Sequence, residues 1–128
     1  MSNRDHFIAT LRGETLGEIN SKTSAEELFQ NQTLRPILKL QNDLYIELLK
    51  NYIIKSKANF DTFTIEKKCQ FIEISIQKDT KFKGLLIGIV IGLFTIDEYL
   101  MYIKNTSSLN RRMISMLIER LKNQLQLI

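Results

Sequence analysis

The stretch KGLLIGIVIGLF, Lys83 to Phe94, decides how this sequence is read. Glycine recurs at every fourth position, Gly84, Gly88 and Gly92, with Leu, Ile and Val between. The uncharged run around it, Gly84 to Ile96, is 13 residues long, against the roughly 20 that cross a bilayer. Lys81 and Lys83 precede it and Asp97 and Glu98 follow, so a longer window brings in charges that hydrocarbon penalises. No membrane association is expected. A phosphate-binding loop would end in Gly-Lys-Ser/Thr, and a dinucleotide fingerprint spaces its glycines differently. The run is therefore a helix or a strand. FIEISI (Phe71–Ile76) alternates in the manner of a strand, and QKDTKFK between the two runs would serve a hairpin. Three interior glycines weaken a strand, so the helix is preferred and the hairpin stays as its alternative. Glycines four apart line one side of a helix, which predicts a neighbouring helix packed closely against them.

Outward from that stretch, helical signals dominate. Ser2 with Asp5 opens a short helix over about 3–12 that Gly13 ends, and a loop with Gly17, Asn20 and Ser21 follows. Ser24 with Glu27 opens a long segment to about Lys57, kinked or restarted at Pro36 with Thr33 as a candidate cap. Apolar residues lie on more than one face of it, as expected for a helix central to the fold. Lys55–Phe63 reads as a loop. Thr64 opens a helix with Ile65, Cys69, Ile72 and Ile76 on one face, and Thr95 with Glu98 opens a short helix to about Lys104. The last helix carries Leu109, Met113, Leu117 and Leu121 at helical spacing. The segments beginning at Phe63 and Phe94 both open Phe-Thr-Ile-acid and align Leu85, Leu86 and Val90 with Met116, Leu117 and Leu121. They read as a pseudo-repeat of two helical hairpins, or as two hairpins made alike by similar packing. The expectation is an all-α fold: one compact domain over residues 1–128, of five or six helices, with the 33–57 segment and the C-terminal helix at its centre.

Composition agrees with a globular domain. The chain has 128 residues, 44% hydrophobic and 25% charged, which argues against disorder. One cysteine, Cys69, and no apolar leader at the N-terminus point to a cytoplasmic protein. The net charge of +4 is uneven: residues 1–32 carry −2 and residues 33–128 carry +6.

The parts for familiar chemistry are few. His6 is the only histidine, and no Cys/His cluster has zinc spacing. Cys69 falls on an apolar helical face and reads as a core residue. No cofactor or metal is expected. Asp43 with Glu47, and Glu14 with Glu18, are four apart and offer carboxylates to magnesium, though solvated helix charge explains them as well. The strongest candidate for binding is basic. Lys78, Lys81 and Lys83 surround the bend before the glycine helix, and Arg111 and Arg112 lie near the start of the last helix, at a comparable place in the echoed segment. Side by side, the five would form an edge for phosphate, nucleic acid or an acidic partner.

The segments NQTLRPILKLQNDLYIELLKNYI and FTIDEYLMYIKNTSSLNRRMISMLIERL resemble a group of small uncharacterised helical bacterial proteins of about this length, some of which carry the name glyoxalase. The name would imply a βαβββ module and a metal held by His and Glu. One histidine and no such pattern do not support that activity here. The functional expectation is a non-enzymatic protein that acts through contacts, as a homodimer or with a protein partner. Anion or nucleic-acid binding at the basic edge, and a magnesium enzyme built on Asp43 and Glu47, are the alternatives.

Overall fold

A computed structural model of the protein describes residues 2–13 and 24–128. The α-helices are α1 (Asn3–Arg12), α2 (Ala25–Phe29), α3 (Arg35–Leu40), α4 (Asn42–Ser56), α5 (Ile65–Lys78), α6 (Thr80–Ile91), α7 (Ile96–Tyr102) and α8 (Thr106–Lys122). A π-helical turn, Gln30–Leu34, joins α2 to α3, and 3-10 turns lie at Phe60–Thr62 and Leu125–Leu127. The described residues contain no strand, so the fold is all-α, and the hairpin alternative for Phe71–Gly92 is overturned. The helices exceed the expected five or six because the 24–57 segment is divided at the π turn and again at Gln41.

The caps read in the sequence form. Ser2, Ser24 and Thr64 accept the backbone N–H groups of Asp5, Glu27 and Lys67, and Thr95 with Glu98 makes a full capping box. Gly13 ends α1 at φ 76, a left-handed conformation that suits glycine. The loop residues Gly17, Asn20 and Ser21, and the pair Glu14 and Glu18, lie outside the described residues. Thr33 does not cap a helix; it is buried inside the π turn. Asp79 supplies the break between α5 and α6, accepting from Phe82 N at 3.1 Å. Its carboxylate also receives the Tyr52 hydroxyl at 3.0 Å, while the Tyr52 ring stacks on Phe82 at 4.2 Å.

The core gathers Ile37 and Leu38 of α3, Tyr45 and Leu49 of α4, Ile72 and Ile76 of α5, Leu86 and Val90 of α6, and Met113, Ile114 and Leu117 of α8. Tyr45 is fully buried, and its hydroxyl donates to the Leu86 carbonyl at 2.9 Å. That bond satisfies the polar end of an otherwise apolar residue, and burial pushes the phenol well above its ordinary range. Residues 55–63 are less of a loop than expected: α4 runs to Ser56, and Phe60 is buried in an aromatic cluster with Phe63 and Phe71. Ile65 is exposed, so the apolar face of α5 begins later than its sequence pattern suggests.

The glycines overturn an expectation. α6 buries Phe82, Leu86 and Val90, four apart along one face. Gly84 and Gly88 fall on the opposite side, exposed, and a Cβ built on either meets nothing within 4 Å. Among the described residues no helix packs closely over them. The supposed repeat shares its capping threonines and its buried register, Phe82, Leu86 and Val90 against Met113, Leu117 and Leu121. Its helices differ in length, α5 having 14 residues and α7 seven.

Open space at both glycines makes alanine favourable there. Gly84→Ala and Gly88→Ala should each stabilise the protein by about 0.5–1 kcal/mol, read as a higher midpoint in urea unfolding. Gly13→Ala should do the opposite by about 1 kcal/mol, because its φ disfavours a Cβ. A loss of stability at Gly88→Ala would mean that its outward face is covered.

Candidate functional site

Pro36 has no N–H to give to the carbonyl four residues back, that of Gln32. The chain passes this point as a π turn, with Arg35 N–H bonding to the Gln30 carbonyl. The Gln32 carbonyl instead accepts from Arg12 Nη2 at 3.0 Å. The same guanidinium grips Glu98 with both of its terminal nitrogens, Nη2 lying 2.7 Å from Oε2, and reaches the Leu93 carbonyl at 3.3 Å. Thr33 donates its hydroxyl to Glu98 Oε2 at 2.6 Å, and Thr95 N–H donates to Oε1 at 2.8 Å. Glu98 thus joins α1, the π turn and α7. Arg12 Nε is buried without an acceptor among the described residues.

The other end of α1 holds the same corner. Arg4 donates to the carbonyls of Phe94 at 2.8 Å and Gly92 at 3.1 Å, and Asp5 accepts from Ile96 N–H at 3.2 Å. Cations therefore meet the carbonyls that follow α6, from Gly92 to Phe94, and an anion faces the first amide of α7, a placement that complements the helix end. Neither arginine is marked in the sequence, because most of their partners lie more than 80 positions away.

The corner so fixed carries an apolar surface. α7 has only seven residues, yet Ile96, Tyr99, Leu100 and Met101 are each about half exposed, as is Ile103 just beyond. Its inward side is taken by Glu98 and the buried Tyr102. On α1, Phe7 and Leu11 are also exposed, at 71% and 58%. Met101 reaches round to a groove of about 280 Å³ that it lines with Ala25, Phe29 and Leu109. The 33–57 segment also leaves large apolar residues exposed, at Leu40, Leu44 and Ile54. On α8 every large apolar residue is buried or half-buried. IDEYLMYI contained the signal: six of its eight residues are apolar, too many for the one inward face of a short helix.

The five basic residues divide. Arg112 turns to α2, where its Nε lies 2.9 Å from Glu26 Oε2 and its Nη1 3.0 Å from Gln30 Oε1. Ser108 donates to the same Glu26 at 2.7 Å, and Asn105 also bonds it. The Ser108 bond and then Arg112 hold the Glu26 carboxyl below its usual range. Lys83 reaches Gln77 Oε1 at 3.4 Å, and Lys81 lies near enough to Asp79 to help lower its pKa, behind the bonds from Phe82 N–H and Tyr52. Lys78 and Arg111 stay exposed. α5 and α8 run antiparallel, with Lys122 on Glu73 at 2.9 Å and Gln77 sharing a groove with Ser115. Arg111, one turn before Ser115, continues that row toward the end of α5 that carries Lys78. The expected edge therefore loses Arg112, and Asp79 offsets Lys81.

Asp43 and Glu47 are exposed on α4, where Glu47 pairs with Lys50 at 3.4 Å. Among the described residues no group of three His, Cys, Asp or Glu side chains could hold a metal ion. His6 is exposed, edge-on to Phe7, and Cys69 is half-buried with a free thiol. No helix among the described residues is long and apolar enough to cross a membrane. Comparison of the chain with protein-family models, curated proteins and solved structures finds no match.

Burial raises the Glu98 pKa, but bonds from Arg12, Thr33 and Thr95 outweigh it and hold the carboxyl below its ordinary 4.5. A depressed folded-state pKa means that the unfolded chain takes up the proton first. The stabilisation is complete above about pH 4.5 and is lost as pH falls through the folded-state value. Glu98→Gln should cost about 3 kcal/mol at pH 7 by leaving Arg12 buried without its anion. It should also reduce, without abolishing, the loss of stability between pH 5 and pH 3, because Glu26 and Asp79 titrate with the same sign. Urea unfolding of both proteins across that range is the measurement.

Proposed function

We propose that the protein acts through contacts, by pairing α7 with α7 of a second copy. The observation that carries this reading is the outward stripe of Ile96, Tyr99, Leu100 and Ile103 on a helix whose inward side is locked by Glu98. With Met101, Phe7 and Leu11 the exposed apolar area is on the order of several hundred Å², against ~800 Å² per partner in a standard interface. A surface of this kind on a rigid support costs little ordering entropy to bury. Charge favours a second copy over an unrelated partner. Asp97, in the first turn of α7, and Lys104, two residues past its end, are both exposed, three residues before Leu100 and four after it. An antiparallel two-fold pairing centred near Leu100 sets Asp97 of each copy opposite Lys104 of the other, twice over, as an isologous interface requires.

The reading is tested by sedimentation equilibrium. The wild type is expected to be a concentration-dependent dimer, and Leu100→Lys should weaken it by about two orders of magnitude with an unchanged circular dichroism spectrum. Asp97→Lys should also weaken the dimer, and adding Lys104→Asp should restore it. A wild type that stays monomeric at high micromolar concentration, or a dimer indifferent to Leu100→Lys, overturns the proposal.

A second reading rests on Lys78 and Arg111, two exposed cations at neighbouring helix ends. It places a phosphate-rich partner, nucleic acid included, at that edge. Binding to single-stranded oligonucleotides should then fall steeply with salt and drop further in a Lys78→Glu, Arg111→Glu variant. Absence of binding at low salt removes this reading.

A further inference from the structure

A cleft of about 620 Å³ opens between the π turn and the second half of α8, a volume within the usual range for small-molecule sites. The π turn shapes one wall. Gln30 and Arg35 are five residues apart, which in an α-helix would set them roughly 140° apart. The i to i+5 bond between Arg35 N–H and the Gln30 carbonyl closes a wider turn, and both side chains line the cleft. Across from them stand Arg120 and Gln124 of the C-terminal stretch, and the buried Leu38 with the half-buried Met116 supplies apolar lining.

The two guanidiniums distinguish this cleft. Arg4, Arg12 and Arg112 each meet a carboxylate, at Asp5, Glu98 and Glu26. Arg35 and Arg120 meet none among the described residues, although both line the one cavity. They are oriented instead by neutral groups. Arg35 Nε donates to Asn31 Oδ1 at 2.8 Å, which leaves its terminal nitrogens available. Arg120 Nη1 touches Asn42 Oδ1 at 3.4 Å. Asn42 and Gln124 exchange amide hydrogen bonds at 2.8 Å in both directions, and Gln124 also donates to the Arg120 carbonyl at 3.0 Å. Amide scaffolding holds cations in place without neutralising them, so their donors and charge remain for an incoming anion. Glu119 also lines the cleft, within ion-pair distance of neither arginine. It adds an acceptor for an amino or hydroxyl group.

We infer that this cleft binds a small organic anion, a phosphate or carboxylate held between Arg35 and Arg120, with a hydrogen-bond donor on the same molecule directed to Glu119. No residue of α7 lines the cleft, so the site is independent of the proposed pairing surface. Isothermal titration at low ionic strength tests it with three probes: inorganic phosphate, O-phosphoserine and succinate. O-phosphoserine should bind saturably and more tightly than inorganic phosphate; succinate binding with phosphate inert would assign the site to carboxylates. Arg35→Gln and Arg120→Gln should each weaken the bound probe by about tenfold or more, whereas Arg111→Gln should leave it unchanged. Where a Gln variant loses its fold, Arg→Lys at the same position keeps the charge, removes the fork and should still weaken binding. No saturable binding of any probe at millimolar concentration, or equal weakening by Arg111→Gln, overturns the inference.

Discussion

The amide hydrogen that Pro36 lacks organises the N-terminal half of this molecule. An uninterrupted α-helix through 25–40 would leave the Gln32 carbonyl without a donor and crowd it against the proline ring. The π turn relieves that conflict, and a guanidinium from a distant part of the chain uses the freed carbonyl. From this follow the burial of Thr33 against Glu98, the anchoring of α1, and the presentation of Gln30 and Arg35 on one wall of a cleft. Local widenings of this type recur where helices carry function. Here one such turn serves both the scaffold and a cleft lined by Arg35 and Arg120.

The molecule separates rigid charge from available apolar area. Glu98 is nearly saturated with hydrogen bonds, and the residues on the far side of the same short helix stay about half exposed. A core could have absorbed those side chains only if α7 were rolled inward, and the capping box, Arg12 and Thr33 together prevent that roll. The fixed polar cluster therefore keeps apolar residues at the surface, a local conflict of the sort that accompanies function more often than stability.

Much of the fold was legible because its signals are local. Ser2, Ser24, Thr64 and Thr95 cap helices within three residues of themselves, and the last helix shows its buried row directly. The glycine reading went wrong for a definable reason. A repeat of four places glycines on one face without saying which face, and Phe82, Leu86 and Val90 had the stronger claim to the interior. The basic edge failed at Arg112 because charge partners across a fold, such as Glu26, leave no trace in spacing. The π turn is signalled in the sequence only by Pro36, which by itself implies a kink or a fresh start. Neither outcome would have put Gln30 and Arg35 on the same wall.

The attachment of α1 orders events in the life of the chain. This helix has ten residues and one buried apolar side chain, Ile8, too little to persist by itself. Apart from its Ser2 cap and the Gln32 carbonyl, its hydrogen-bonding partners outside the helix run from Gly92 to Glu98, more than 80 residues further along. Translation from N- to C-terminus delivers α1 before these partners, so it cannot seat until the chain through Glu98 has been made. α1 is thus a latch that closes after the body of the protein has assembled, and its seating marks a molecule whose later helices are already in place.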